Sequence, residues 1–251
     1  MSHVYGKFVW FEHLSNDLAK ARKFYDSVLG WHTESTPMGG PEPYALIMNG
    51  SEGIGGFCQA PPSVPTMWMS YLSVADVDAA HTAAVAAGAI SLRAPDDYGA
   101  VGRGATLADP AGAAFSVFHN AQGDRADTQK TAVGDWHWNE LVSTDQPKAL
   151  AFYAKVFGYE HDSMDMGEMG EYHLLKKDGV MRGGLMRSPM PDGPSLWLPY
   201  VAVADCDASA AKARESGAQL IVEPRDIPDI GRFATFIDPQ GAMLSVMKPT
   251  P

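Results

Sequence analysis

The segment Trp10–Tyr25, WFEHLSNDLAKARKFY, recurs 128 positions later as WNELVSTDQPKALAFY, Trp138–Tyr153. Trp, Glu, Ser, Asp, Ala, Phe and Tyr hold matching offsets, and Gly30 and Gly158 close the two copies. The correspondence runs on: Tyr44 with Tyr172 and Gly55-Gly56 with Gly183-Gly184, then, after a one-residue insertion, Trp68, Tyr71, Asp76 and Asp78 with Trp197, Tyr200, Asp205 and Asp207. Gly102-Arg103 matches Gly231-Arg232, and Asp109-Pro-Ala-Gly matches Asp238-Pro-Gln-Gly. Solenoid repeats have periods of roughly 20–50 residues, so this spacing marks a duplicated domain. We place the first domain at residues 1–120, a polar, aperiodic linker at 121–134 and the second domain at 135–251.

Within each half the pattern alternates between two periods. Residues 4–14 read as a strand, with Phe8, Trp10 and Glu12 on one face and Val9, Phe11 and His13 on the other. Asp17 is placed to cap a helix that carries Leu18, Ala21, Phe24, Tyr25 and Val28 at three- and four-residue spacing and stops at Gly30. Strands are expected near Tyr44–Met48 and Ile54–Gln59 after a Pro/Gly-rich stretch at Met38–Pro43. Trp68–Val74 begins a second strand–helix unit, with a helix over Asp76–Ala87 and strands near Ile90–Arg93, Gly104–Ala108 and Ala113–Phe118. Each half thus reads as strand, helix and three strands, written twice, which is an α+β chain.

The net charge of -11 opposes binding to nucleic acid or an anionic membrane, where affinity comes from Lys and Arg. Two cysteines, Cys58 and Cys206, without metal-type spacing, suit a reducing compartment. No stretch approaches the roughly 18 consecutive apolar residues of a membrane helix, and the N-terminus lacks the pattern of a signal peptide. A cytoplasmic location is expected.

The order strand–helix–three strands, with D-x6-FY after the first strand and DP-x-G before the last, resembles the vicinal oxygen chelate superfamily. That group includes glyoxalase I, bleomycin- and fosfomycin-resistance proteins and extradiol dioxygenases. The resemblance covers both halves and implies tandem glyoxalase-like domains, each of two βαβββ units forming a curved mixed sheet around a cleft. It also implies a divalent metal held from the first and last strands of those units. Carried over position by position, the ligand sites fall on Trp10 and Trp138, Met69 and Leu198, and Ser116 and Ser245, with the neighbourhood of Gly56 and Gly184 in the fourth strand. These are poor donors or none, so the expected cofactor is none, with a relocated divalent metal as the alternative.

Glu12 and Glu140 lie two residues past the altered first-strand position and share the face of Trp10 and Trp138. Either carboxylate could act as a general base or accept a hydrogen bond from a ligand. Either could instead form a structural ion pair, for which Arg103 and Arg232 are the natural partners. Trp68/Trp197 and Tyr71/Tyr200 sit on opposite faces of their strand, one pair toward the pocket and the other under a helix. Flexible methionines, among them Met38, Met164, Met166, Met169, Met190 and Met243, suit an adaptable apolar pocket. His13 and His137 point away from the Trp/Glu face.

The leading expectation is a protein that binds a small apolar or aromatic molecule in a cleft lined by Trp10, Trp138, Glu12 and Glu140, with Arg103, Arg232, Trp68, Trp197, Tyr71, Tyr200, Ser116 and Ser245 contributing. The alternative is a lyase, isomerase or dioxygenase-like enzyme with Glu12 or Glu140 as base. A blander reading has the clefts filled with tryptophan and the surface serving an interaction role. The partner is a small molecule, and the chain is either a monomer whose domains mimic a dimer or a homodimer.

Overall fold

The computed structural model describes residues 5–37, 43–128, 130–167, 170–190 and 193–250. Each half opens on a strand, β1 (Phe8–Ser15) or β9 (Trp136–Ser143), followed by a helix, α1 (Leu18–Leu29) or α3 (Gln146–Phe157). The Asp17 carboxylate accepts from the Lys20 amide at 3.1 Å, and Asp145 from that of Lys148 at 3.1 Å, so each aspartate satisfies an orphan donor of the first helical turn. Gly30 and Gly158 end these helices with φ of 71° and 67°, a left-handed conformation that glycine adopts without a Cβ penalty.

Three strands follow each helix: β2 (His32–Thr36), β3 (Tyr44–Asn49) and β4 (Glu52–Gln59), and in the copy β10 (Glu160–Asp165), β11 (Glu171–Lys177) and β12 (Val180–Arg187). The second unit of the first half comprises β5 (Met67–Ser73), α2 (Val77–Ala86), β6 (Ile90–Asp97), β7 (Gly102–Ala108) and β8 (Ala114–Asn120). Its copy comprises β13 (Leu196–Ala202), α4 (Cys206–Glu215), β14 (Gln219–Ile227), β15 (Gly231–Ile237) and β16 (Met243–Pro249). The sheets run β2-β3-β4-β1-β5-β8-β7-β6 and β10-β11-β12-β9-β13-β16-β15-β14. Both are mixed, with β1/β4, β5/β8, β12/β9 and β13/β16 parallel.

The strand β2 escapes the sequence reading. Its residues, HTEST, carry no apolar alternation, and an edge strand exposed along most of its length has no face to advertise. Met38, Met169 and the Pro/Gly-rich stretch up to Glu42 lie outside the described residues.

Two compact units emerge from interleaved segments. One comprises Met1–Trp10, Met69–Ala126 and Trp138–Trp197, and the other Phe11–Trp68, Asp127–His137 and Leu198–Pro251. Each unit therefore takes one strand–helix–three-strand module from each half. In the first, α2 packs with α3, and Leu72, Leu107, Phe115, Leu141, Phe152 and Trp197 build the core. In the second, α1 packs with α4, and the core is aromatic: Trp136 stacks on Phe11 with ring centroids 4.2 Å apart, Trp31 and Trp68 flank it, and Tyr25 packs on those two. The start of β9 and the linker before it contribute to that core, since Trp136 donates to the Ile54 carbonyl at 2.7 Å and Trp31 to the carbonyl of linker residue Gly134 at 2.7 Å. Among the described residues no helix is long and apolar enough to cross a membrane.

Candidate functional site

The repeated motifs separate into scaffold and candidate site. In the second unit Asp238 accepts from the Gln240, Gly241 and Ala242 amides through Oδ1 and from the Tyr25 hydroxyl through Oδ2 at 2.9 Å. Tyr25 in turn accepts from the Trp68 indole at 2.9 Å. In the first unit Trp197 donates to Tyr153 at 2.8 Å and Tyr153 to Asp109 at 3.2 Å. The Trp, the Tyr of FY and the Asp of DP-x-G thus form one buried relay that ties a helix to a turn. Trp68 and Trp197, each 3% exposed, sit in the core, on strands buried at all but their first position.

The two relays differ at one residue. His13, fully buried, places Nε2 at 2.7 Å from Asp238 Oδ2, whereas Leu141 stands at the same place in the copy. Burial pushes the Asp238 carboxyl up, but the hydrogen bond and charge of His13, with the backbone donors, outweigh it and hold it below the ordinary aspartate value. Asp109 lacks that partner, and burial leaves its carboxyl raised.

On the opposite face of β1 and β9 lie the two glutamates. The Tyr44 hydroxyl donates to Glu12 Oε1 at 2.8 Å. In the copy Glu140, 6% exposed, is hydrogen-bonded by Tyr172, whose oxygen also accepts from the Trp138 indole at 3.0 Å. Burial first, and then the Glu140 charge, push the Tyr172 phenol well above its ordinary value, so it remains a donor.

The paired glycines explain this geometry. A Cβ on Gly55 or Gly183 would collide with the main-chain oxygen of Phe11 or Asn139, so the first glycine of each pair lets parallel strands approach. A Cβ on Gly56 or Gly184 would fall on the Tyr44 or Tyr172 hydroxyl. The second glycine is therefore a seat for the phenol ring. The register sets Glu12 opposite Gly56 and Glu140 opposite Gly184, which delivers each hydroxyl to its carboxylate.

Cys58 joins the first cluster, on β4 beside Tyr44. Burial raises its thiol far above the usual range, and Glu12 raises it further by charge and hydrogen bonding. Its counterpart in strand register is Met186. The tyrosines and glycines were visible as repeated positions, but nothing in the sequence tied them to the glutamates. Cys58 carried no repeat signal at all.

The remaining expected residues have other settings. Arg103 spends its guanidinium on Asp78, at 2.7 and 2.9 Å, and on Asp97 at 2.8 Å. Arg232 does the same with Asp207 and Asp226. Both forks lie at the protein surface, so the arginines are anchored by aspartates of neighbouring elements instead of facing the glutamates. Ser116 and Ser245 are fully buried and paired with Thr106 at 2.9 Å and Thr235 at 2.8 Å. Tyr71 and Tyr200 are buried against Phe118 and Phe233. Trp10 and Trp138 are half-buried.

A divalent metal does not fit these residues. The positions where the resemblance implies its ligands hold indole, thioether, aliphatic and hydroxyl-paired serine side chains, and Tyr44 and Tyr172 cover the glycines of the fourth strand. Among the described residues no three of His, Cys, Asp and Glu converge as a metal-binding group.

Comparison with known proteins agrees with this architecture. Residues 10–118 match the model of a glyoxalase-like domain, and residues 136–246 that of the glyoxalase/bleomycin resistance protein/dioxygenase superfamily. The chain is 38% identical to "Putative glyoxylase CFP32" of Mycobacterium tuberculosis, over 96% of this chain and 94% of that one. It is 29% identical to the anthracycline biosynthesis protein DnrV of Streptomyces peucetius, over 95% and 92%. In fold it resembles the Mn(II)-bound glyoxalase of Novosphingobium aromaticivorans, with a TM-score of 0.65 at 18% identity, covering 99% of this chain and 83% of that one. A catechol 2,3-dioxygenase gives 0.66 at 13% identity, covering 100% and 90%. With two tandem domains matched and a relative aligned over nearly its whole length, the chain belongs to the glyoxalase/bleomycin resistance protein/dioxygenase superfamily.

Proposed function

We propose that the protein binds a small aromatic molecule at its carboxylate–phenol clusters, without the metal that the superfamily's fold implies. The observation that carries this reading is the repeated seating of Tyr44 on Gly56 against Glu12 and of Tyr172 on Gly184 against Glu140. A carboxylate beside aromatic surface accepts a hydrogen bond from a phenolic hydroxyl or an ammonium group, and a protein of net charge -11 attracts a cation over an anion. The relatives named for anthracycline biosynthesis support a small-molecule ligand.

Calorimetric titration with phenol, benzylammonium and benzoate tests it. Phenol and benzylammonium are expected to bind and benzoate to be excluded, and Glu12→Gln with Glu140→Gln should weaken binding about tenfold, 1.4 kcal/mol. Absence of binding by all three overturns the proposal. Catalysis is the second reading, favoured by the burial of Glu140: a carboxylate held among aromatic groups is suited to take a proton from a bound ligand. Solvent-exchange of an acidic carbon-bound proton, followed by NMR and lost in Glu140→Gln, distinguishes it from binding alone.

A further inference from the structure

We infer that Tyr44 and Tyr172 are the specificity-determining residues of these sites, each giving its glutamate a phenolic O–H as orienting partner in a cleft where the superfamily's fold implies a metal. The inference rests on the binding reading above and adds the class of ligand that can enter.

Two independent observations carry it. The first is steric. Gly56 and Gly184 lie in the neighbourhood where the resemblance implies the fourth-strand ligand, and the space a side chain would need at each is filled by a tyrosine hydroxyl, in both copies. At Gly184 the Trp138 Nε1 also lies 3.0 Å from where a Cβ would stand. A residue able to ligate a metal cannot share that volume with the phenol. The second is polar. The Glu12 carboxylate receives the Tyr44 hydroxyl at 2.8 Å, and the Tyr172 oxygen is fixed by the Trp138 indole at 3.0 Å while its proton serves Glu140. The phenol therefore orients the carboxylate by a charge-assisted hydrogen bond.

Ligand selection follows from the difference between a metal and a phenol. A metal ion rewards two adjacent oxygens on the ligand, because both enter its coordination shell. A carboxylate oriented by a phenol coordinates nothing and accepts only O–H or N–H donors, so it selects for a donor and gives a vicinal oxygen pair no chelate advantage. The expected ligand is an aromatic hydrogen-bond donor, a phenol or an arylalkyl ammonium, with catechol favoured no more than phenol and α-dicarbonyl compounds, which carry no donor, disfavoured.

The test uses the full-length protein, Mn(II), phenol, catechol and anisole, with equilibrium dialysis for the metal and calorimetry for the aromatics. Wild type should retain no stoichiometric Mn(II), bind catechol and phenol within about threefold of each other, and prefer phenol to anisole by about tenfold, 1.4 kcal/mol. In the Tyr44→Phe/Tyr172→Phe protein, where the ring still fills its seat, the preference for phenol over anisole should collapse toward unity. Gly56→Ala/Gly184→Ala, which displaces the ring instead of trimming it, should lose the same preference. Stoichiometric Mn(II), catechol binding strengthened tenfold by Mn(II), or a phenol preference unchanged in the phenylalanine variant overturns the inference while leaving aromatic binding in place. Failure of wild type to bind any of the aromatics overturns the binding reading, and this inference with it.

Discussion

Replacing His13 by leucine gives unit two the side chain that unit one already carries as Leu141, and it removes one partner from a buried charge. Asp238 is 4% exposed and His13 fully buried, so water cannot substitute for the lost contact at 2.7 Å. Removing one member of a buried pair costs about 3–5 kcal/mol when the other is stranded. Asp238 keeps the Tyr25 hydroxyl and three backbone amides, which brings the expected loss to about 2–3 kcal/mol. The pH dependence has a definite sign. In the native protein the Asp238 carboxyl lies below its unfolded value of about 3.9, so its stabilisation is complete above that pH and is lost as pH falls through the lower folded value. Without His13, Asp238 should resemble Asp109, whose carboxyl is raised and whose ionisation therefore costs stability until acid protonates it. The gap between wild type and His13→Leu should be widest near neutrality and narrow below about pH 4. Urea unfolding followed by tryptophan fluorescence measures it, because Trp68 lies 5.0 Å from the His13 ring. Equal stabilities at neutral pH, or a gap that widens on acidification, would refute the reasoning.

Four further outcomes are expected. Gly184→Ala should cost about 1–3 kcal/mol through overpacking against Tyr172 and Trp138, and a thermal melt unchanged from wild type would remove the seat argument. Trp136→Ala should lower stability by about 3 kcal/mol, since it strips a half-buried ring from Phe11 and leaves the Ile54 carbonyl without its donor; an unchanged urea midpoint would show that this ring is dispensable to the core. Arg103→Ala and Arg232→Ala should shift the melting temperature only slightly, and less in high salt, because their carboxylate partners are exposed. Iodoacetamide should modify Cys58 slowly at neutral pH and faster in Glu12→Gln, whose lost charge no longer raises the thiol; an identical or slower rate in the variant counts against the Glu12–Cys58 contact.

Much of the scaffold was legible because its signals are local. The Asp17 cap, the Gly30 stop and the three- and four-residue spacing of Ala21, Phe24, Tyr25 and Val28 act within one helix, and the helix forms where they place it. Polar β2 had no such signal. The glutamates were legible as residues sharing a strand face with tryptophan, but their partners were not. Arg103 and Arg232 matched the carboxylates in charge and in repetition, yet Asp78 and Asp207, at the starts of the neighbouring helices, lie within reach of the guanidinium forks. The tyrosine contact depends on a strand register and on the absence of one Cβ.

The sequence by itself determined the duplication, the order of strands and helices and the residue types that stand where the resemblance implies metal ligands, because repeats, periodicity and side-chain chemistry need no third dimension. Only the tertiary structure decided that FY, DP-x-G and the β5 and β13 tryptophans form one relay, that each compact unit draws a module from either half, and that a phenol rests on Gly56 and Gly184. These are contacts between residues as much as 213 positions apart in the chain, and no local propensity encodes which of many such pairs will meet.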